Sequence, residues 1–276
     1  MLFRSGRWAG SDKVNFQNLP ARDKKKKALK NAVIPPEGYH VINCDSSQIE
    51  ARVLVWLAGQ DDVVEWYKEG RDVYSEFASK VYNKSITKAD KTERAVGKTC
   101  ILGLGYGTGW AKLKQTLKIS AGVDLDDQEC QRLVKVYRQV NNKVIDLWKT
   151  CDEALQDMAS WPKGKEPYYL DAHQALLITP KGIRLPNGLY IYYPGLTWDV
   201  SEAKSKFVYK SRRGFNSIWG GSVVENVVQA LARIIVGEQM LEINKKYRPV
   251  LTVHDAVVCV VPMTEVEEAQ IGRAHV

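Results

Sequence analysis

Tyr39-His40-Val41-Ile42-Asn43-Cys44-Asp45-Ser46-Ser47-Gln48-Ile49-Glu50 is the stretch on which the fold turns. Its first six residues read as a short strand. Ser47-Gln48-Ile49-Glu50 then fits a capping box, a hydroxyl followed three residues later by a carboxylate. Ile49, Val53, Leu54 and Leu57 follow at helical spacing. Asp45 is therefore expected at a strand-to-helix junction, where a side chain can face a cleft.

A second strand-rich stretch lies near the other end. Residues 250–261 hold two apolar runs that meet at His254-Asp255, which predicts a hairpin with a polar tip. Between the two stretches, residues 60–160 carry helical periodicity and few prolines. Segments 63–68, 73–82, 91–102, 110–118 and 126–158 read as helices, with a break marked by Gly122, Asp124 and Asp126. Residues 161–198 change character: prolines and glycines separate short β-like runs, and Asn187-Gly188 is a hairpin signal. Residues 222–243 predict a long helix. The order is strand, helical block, hairpins, helix, hairpin, so first and last sheet elements flank a long helical insertion, each offering one aspartate at a turn. The expected class is α+β.

Composition narrows the field without choosing an activity. The 276 residues are 45% apolar and 26% charged, which suits a globular chain. No apolar run comes near the ~18 residues that suggest a spanning helix, and Val257-Val258-Cys259-Val260-Val261 is strand-sized. Lys plus Arg outnumber Asp plus Glu by 40 to 32, a net charge of +8 that suits a polyanionic partner. Within the polar stretch 6–38, Lys24-Lys25-Lys26-Lys27 reads as a solvated face or a contact to a nucleic-acid backbone. Five widely spaced cysteines, with no CxxC pair, predict a reduced, cytoplasmic-type protein without disulfides or zinc modules.

Both ends read as foreign. Ile271-Gly272-Arg273-Ala274-His275-Val276 is encoded by ATCGGAAGAGCACACGTC, and the reverse complement of that string yields Leu2-Phe3-Arg4 after a GTG start. The string resembles a sequencing adapter. Residues 1–5 and 271–276 are accordingly expected to be non-native, and the rest an internal piece of a longer gene.

Two constellations could carry chemistry. Asp45 and Asp255, far apart in sequence, would meet if their strands were neighbours, and two adjacent carboxylates repel unless a cation lies between them. Hard ions such as Mg²⁺ take oxygen ligands and commonly also substrate phosphates. The plainer reading is a helix cap and a turn residue. Arg94, Lys98, Leu102 and Tyr106 recur every four residues, which lays them along one helix face. A guanidinium and an ammonium one turn apart suit a triphosphate, the first as a fork and the second as a point charge; a solvated helix face is the alternative. Gly103, Gly105, Gly107 and Gly109 satisfy no phosphate-loop pattern, and Thr92 stands where a Walker A loop ending at Gly97-Lys98-Thr99 needs glycine. What these glycines predict is a helix end that lets a flat partner approach closely.

Taken together and in order, the residues resemble DNA polymerases of family A, the polymerase I-like group. Asp45-Ser46-Ser47-Gln48-Ile49-Glu50-Ala51-Arg52 resembles their motif A. Arg94, Lys98, Leu102-Gly103 and Tyr106-Gly107 resemble motif B, and Val253-His254-Asp255 motif C. Gly6-Arg7 and Asn15-Phe16-Gln17-Asn18-Leu19-Pro20 are similar to the segment leading into the palm, and the likeness runs over nearly all of residues 6–262. Leu185-Pro186-Asn187-Gly188-Leu189 and Glu225-Asn226 with Gln229 are similar to viral members.

The resemblance implies an antiparallel-sheet palm (residues 6–58 and 176–270) with a long, mostly helical fingers insertion (residues 59–175). It implies addition of deoxynucleoside triphosphates to a primer 3′-hydroxyl on template DNA, with two Mg²⁺ ions held by Asp45 and Asp255. It gives Arg94 and Lys98 the phosphates, Lys98 as proton donor to pyrophosphate, and Tyr106 a place against the nascent base pair. Gln48 and Leu102 would join the nucleotide site, and Glu50 would sit under the sugar and exclude a 2′-hydroxyl. Arg7, His254, Glu225 and Gln229 would face the DNA. No membrane role is implied, and the setting would be the cytoplasm, that of the host if the gene is viral.

Three positions depart from the family pattern. Leu102 stands where Phe or Tyr is usual, Ala256 where motif C usually ends in Glu, and Ser46 where many cellular relatives have Tyr. Two other readings stay open: a single-subunit RNA polymerase, disfavoured by Glu50, and a non-catalytic nucleic-acid-binding module. The resemblance begins after a duplex-clamping thumb would have ended, so a third reading also stays open, that the isolated chain is inactive.

Overall fold

The computed structural model of the chain describes residues 6, 33–201, 205–212 and 214–272. Arg7, the 15–20 segment and Lys24–Lys27 lie outside the described residues. Strand β1 (Tyr39–Asp45) leads into helix α1 (Ile49–Leu57), as the alternation and then the helical spacing predict. The helix starts one residue later than a Ser47 cap predicts. Gln48, which would be the first helical residue after a Ser47 cap, has φ +57 and stands outside the helix.

Residues 1–49 and 229–276 form one compact unit, and residues 50–228 another. In the first, β1 pairs with β10 (Ala256–Pro262), which pairs with β9 (Pro249–Val253), all antiparallel in the order β1-β10-β9. Strand β1 and the β9–β10 hairpin, more than 200 residues apart in sequence, thus share one sheet. The register sets Ile42 against Cys259 and Cys44 against Val257, so these four share a face. That face packs on Val236, Met240 and Ile243 of helix α8 (Gly220–Asn244) and on Val266 and Ala269 of α9 (Val266–Gly272). Their spacings, i, i+4, i+7 and i, i+3, are those of an apolar helix stripe. Asp45, one residue beyond Cys44, falls on the opposite face. Pro249 begins edge strand β9, where its missing N–H costs no ladder bond.

The second unit opens with a helical block: α1, α2 (Asp61–Lys68), α3 (Val73–Tyr82), α4 (Lys91–Leu104), α5 (Trp110–Thr116), a π-turn at Leu117–Ala121, then α6 (Asp127–Val140) and α7 (Asn142–Ala159). The predicted single helix over 126–158 is two helices. Asn141, buried between them with φ −109 and ψ 49, turns its side-chain Nδ2 back to the Tyr137 carbonyl, the local competition that makes Asn a helix breaker. Phe77, Leu104, Leu113, Leu133 and Tyr137 fill the core of this block, Phe77 and Tyr137 edge to face at 5.7 Å.

Two antiparallel sheets follow: β2 (Tyr168–Tyr169), β3 (Leu177–Thr179), β4 (Gly182–Arg184) and β5 (Tyr190–Ile191), then β6 (Thr197–Asp199), β7 (Lys206–Ser211) and β8 (Gly214–Ile218). Asn187-Gly188 does turn a hairpin, with Gly188 at φ +78 and its N–H donated to the Leu185 carbonyl. The β7–β8 hairpin went unpredicted. All five cysteines are free thiols. Among the described residues no helix is long and apolar enough to cross a membrane.

Candidate active site

Asp45 is the last residue of β1 and Asp255 is the second residue of the two-residue loop joining β9 to β10. The register pairs Asp45 with Ala256, the residue after Asp255, and the Ser46 N–H donates to the Asp255 carbonyl at 3.0 Å. The two aspartates therefore stand at adjacent strand ends on the same edge of one sheet. Asp45 is exposed and Asp255 half-buried.

The backbone around them is strained. Among the described residues four non-glycines have positive φ: Gln48, Asn83, Gln174 and His254. Two of these bracket the aspartates, Gln48 at φ +57 and His254 at φ +54. Such conformations cost of order 1–3 kcal/mol each and gather at functional sites. Gln48 also carries a buried Oε1 with no hydrogen-bond partner, and the Ser46 hydroxyl is spent on Gln239 at 2.5 Å.

A divalent metal is implied by the resemblance, and the residues present fit one. Two carboxylates on neighbouring strand ends form a hard oxygen donor set. Among the described residues no cluster of three or more His, Cys, Asp or Glu is gathered. Most of a coordination sphere here would thus be water and phosphate oxygens, the usual way of holding Mg²⁺. Ala256, directly across from Asp45, contributes no third carboxylate.

The basic stripe belongs to the second unit. On α4, Val96, Cys100, Ile101 and Leu104 are buried, while Lys98 and Leu102 are exposed and Arg94 half-buried. Leu102 is 45% exposed and so presents its apolar side chain to solvent. Tyr106 departs from the predicted stripe: α4 ends at Leu104, and Tyr106 sits in the following turn, its N–H on the Gly103 carbonyl. The flat partner predicted for the glycines is internal. Gly107, at φ +78, faces the Trp219 ring so closely that a Cβ would overlap it, and Trp219 in turn meets Trp148 edge to face at 5.5 Å.

Arg94 has a partner the sequence reading missed. Its Nε and Nη2 donate to the Asp72 carboxylate at 2.6 and 3.0 Å, and the Ser75 hydroxyl donates to the same carboxylate at 2.6 Å. Burial works to raise the Asp72 pKa, but the Arg94 and Ser75 hydrogen bonds outweigh it and hold the carboxyl below its usual range. The hydrogen bond from Arg94 to Asp72 raises the guanidinium pKa in turn. The signal available was Asp72 as an N-cap to the apolar period of α3; its ion pair 22 residues away was not readable.

Of the remaining predicted residues, Glu50 lies in the first turn of α1, and Glu225 and Gln229 lie one turn apart on α8, Glu225 exposed. His254 is exposed in the loop before Asp255.

Comparisons with known proteins identify the family. The sequence profile described as DNA polymerase family A matches residues 3–274. A DNA polymerase of Bacillus phage SP02 is 31% identical over 94% of this chain and 45% of its own length. The thermostable DNA polymerase I of Thermus aquaticus is 34% identical over 51% of this chain and 16% of its own. The chain therefore spans less than half the length of these curated relatives. Among solved structures, the POL domain of Pol1 from M. smegmatis, in complex with DNA primer-template and dNTP, covers 98% of this chain and 42% of its own, with TM-score 0.66 and 21% identity. That likeness bears on the fold.

Proposed function

The chain belongs to DNA polymerase family A, and from that premise we propose that it adds deoxynucleotides to a primer 3′-hydroxyl, copying template DNA in phage replication. The observation that carries the reading is the pair of aspartates at adjacent strand ends, bracketed by two strained residues. In this reading residues 6–58 and 176–270 act as palm and 59–175 as fingers.

Asp45 and Asp255 would hold two Mg²⁺ ions. Bound there, the ions would acidify the primer hydroxyl and neutralise the charge of the triphosphate and the leaving pyrophosphate. Arg94 grips phosphate oxygens with its planar fork, and Lys98 adds a compact charge and a transferable proton for pyrophosphate. Tyr106 offers a ring for stacking on the nascent pair. Gln48 lends its unpartnered amide oxygen to the nucleotide site. Glu50 places a carboxylate where a 2′-hydroxyl would come, which favours deoxynucleotides. Arg7, His254, Glu225 and Gln229 line the DNA path.

Single-turnover extension of a labelled primer-template, with enzyme in excess, tests the reading. Extension should follow the template, vanish on chelation, return with Mg²⁺ and prefer deoxynucleotides. DNA binding without metal-dependent extension would leave the binding-module reading standing, and equal use of ribonucleotides the RNA polymerase one.

Leu102 allows a sharper test. An aliphatic side chain provides neither a ring nor a phenolic hydroxyl near the sugar, so Leu102→Phe is expected to change the ratio of deoxy- to dideoxynucleotide incorporation. The position is exposed, so the fold should tolerate the change within about 0.5 kcal/mol. An unchanged ratio would remove Leu102 from the nucleotide site.

A further inference from the structure

Asp72 sits at the N-cap position of α3, with φ −82 and ψ 93. It is 10% exposed at the side chain, against 31% for Arg94. The pair is side-on and bidentate, Nε and Nη2 against both carboxylate oxygens. This geometry consumes two of the five guanidinium N–H donors and leaves the Nη1 edge uncommitted to Asp72. Two further features hold the arrangement. The Tyr74 ring lies 5.4 Å from the Arg94 guanidinium carbon and 5.8 Å from the Lys98 ammonium, and Tyr74 itself is 5% exposed. Gly97, between the two cations on α4, lets the α4 backbone approach the Tyr74 carbonyl more closely than any side chain would allow. The first turn of α3 is thus fitted to both cations of α4.

We propose that Asp72 is a positioning residue for nucleotide binding: it clamps one edge of the Arg94 guanidinium so that the other edge is presented to the triphosphate. The inference rests on Arg94 contacting the nucleotide, as proposed above. A flexible arginine loses the freedom of several rotatable bonds on gripping a phosphate, and that ordering opposes binding. A guanidinium already held by a carboxylate has met that cost in folding. The opposite outcome is physically possible, since a carboxylate can compete with the phosphate for the same fork, and the experiment separates the two.

The probe is a fluorescent deoxyadenosine triphosphate with Mg²⁺, titrated into the 276-residue chain, so that turnover is not needed. Four proteins are compared: the unchanged chain, Asp72→Asn, Arg94→Ala and the double variant. Asp72→Asn should weaken binding about tenfold, the scale of one charge-assisted hydrogen bond. In the Arg94→Ala background the same change should weaken it less than about twofold, because the residue acts through Arg94. Asp72→Glu, which keeps the charge, should recover part of the loss, whereas a merely structural role would lower the melting temperature without this coupling. Unchanged or tighter binding by Asp72→Asn, or an equal loss in both backgrounds, overturns the proposal. If Arg94→Ala itself binds the probe normally, or the unchanged chain does not bind it, the reading of the α4 stripe fails first.

Discussion

Replacing Asp45 with asparagine is expected to lower primer extension by about a thousandfold, ~4 kcal/mol of transition-state stabilisation at 1.36 kcal/mol per decade, while leaving primer-template affinity within about twofold. The reasoning starts from the sheet. Asp45 and Asp255 stand at neighbouring strand ends, and in the proposed reading both carboxylates hold the metal. Asparagine keeps the size and one acceptor oxygen but removes the charge that a dication needs. Because Asp45 is exposed and lies on the face opposite Ile42 and Cys44, the core against α8 and α9 should not notice. The variant should therefore melt within a few degrees of the unchanged chain in chelator. Added Mg²⁺ should raise the melting temperature of the unchanged chain, since a ligand that binds the folded state stabilises it, and should raise that of Asp45→Asn much less. Extension persisting in the variant would sink the metal-site reading; loss of extension together with loss of fold would show as a lowered melting point in chelator.

What the sequence could tell depended on how local the signal was. Asp45 and the His254-Asp255 tip were legible because each interrupts an apolar run at a strand end, where burial and alternation leave one interpretation. Sheet order was not legible: the sequence left the pairing of the two stretches conditional, and the structure gives the order β1-β10-β9. Helix α3 was read to the residue, because Asp72 and Asn83 bound an unbroken apolar period. Two of the failures share a cause. The Asp72–Arg94 pair and the Gly107–Trp219 contact join residues 22 and 112 positions apart, and no periodicity records which polar side chain or which ring will meet them. The β7–β8 hairpin, Lys206–Ser211 and Gly214–Ile218, did carry a local signal in alternating Phe207 and Tyr209 before a glycine turn. Gln48 shows the limit of pattern from the other side: the letters of a capping box were present, but the turn out of β1 demanded a left-handed residue there.

Gly97→Ala should be strongly damaging to the helical block. In most helix interiors this substitution stabilises, by up to about 1 kcal/mol, because alanine restricts the unfolded chain and glycine does not. At position 97 the added Cβ would overlap the Tyr74 carbonyl oxygen and come within 3.1 Å of the Ala78 Cβ. The first of these is backbone of α3 and cannot rotate away, so the helices must part or shift along each other. Overpacking of this kind costs about 1–3 kcal/mol and sometimes more, so the net expectation is a loss near 2–3 kcal/mol. For a domain of 150–250 residues that is a fall of roughly 5–10 °C in melting temperature. Gly103→Ala is the internal control: it lies on the same helix, but its nearest neighbour would be the Thr108 hydroxyl at 3.8 Å, so it should hold or raise stability. Because Arg94 and Lys98 flank position 97 and the Asp72 pair spans the same seam, Gly97→Ala should also weaken binding of the fluorescent triphosphate, by at least the tenfold expected for Asp72→Asn, at temperatures where the variant is still folded. Equal melting temperatures for the two glycine variants would mean that α3 and α4 are not packed as closely as the Tyr74 carbonyl requires, and the clamp on Arg94 would lose its foundation with them.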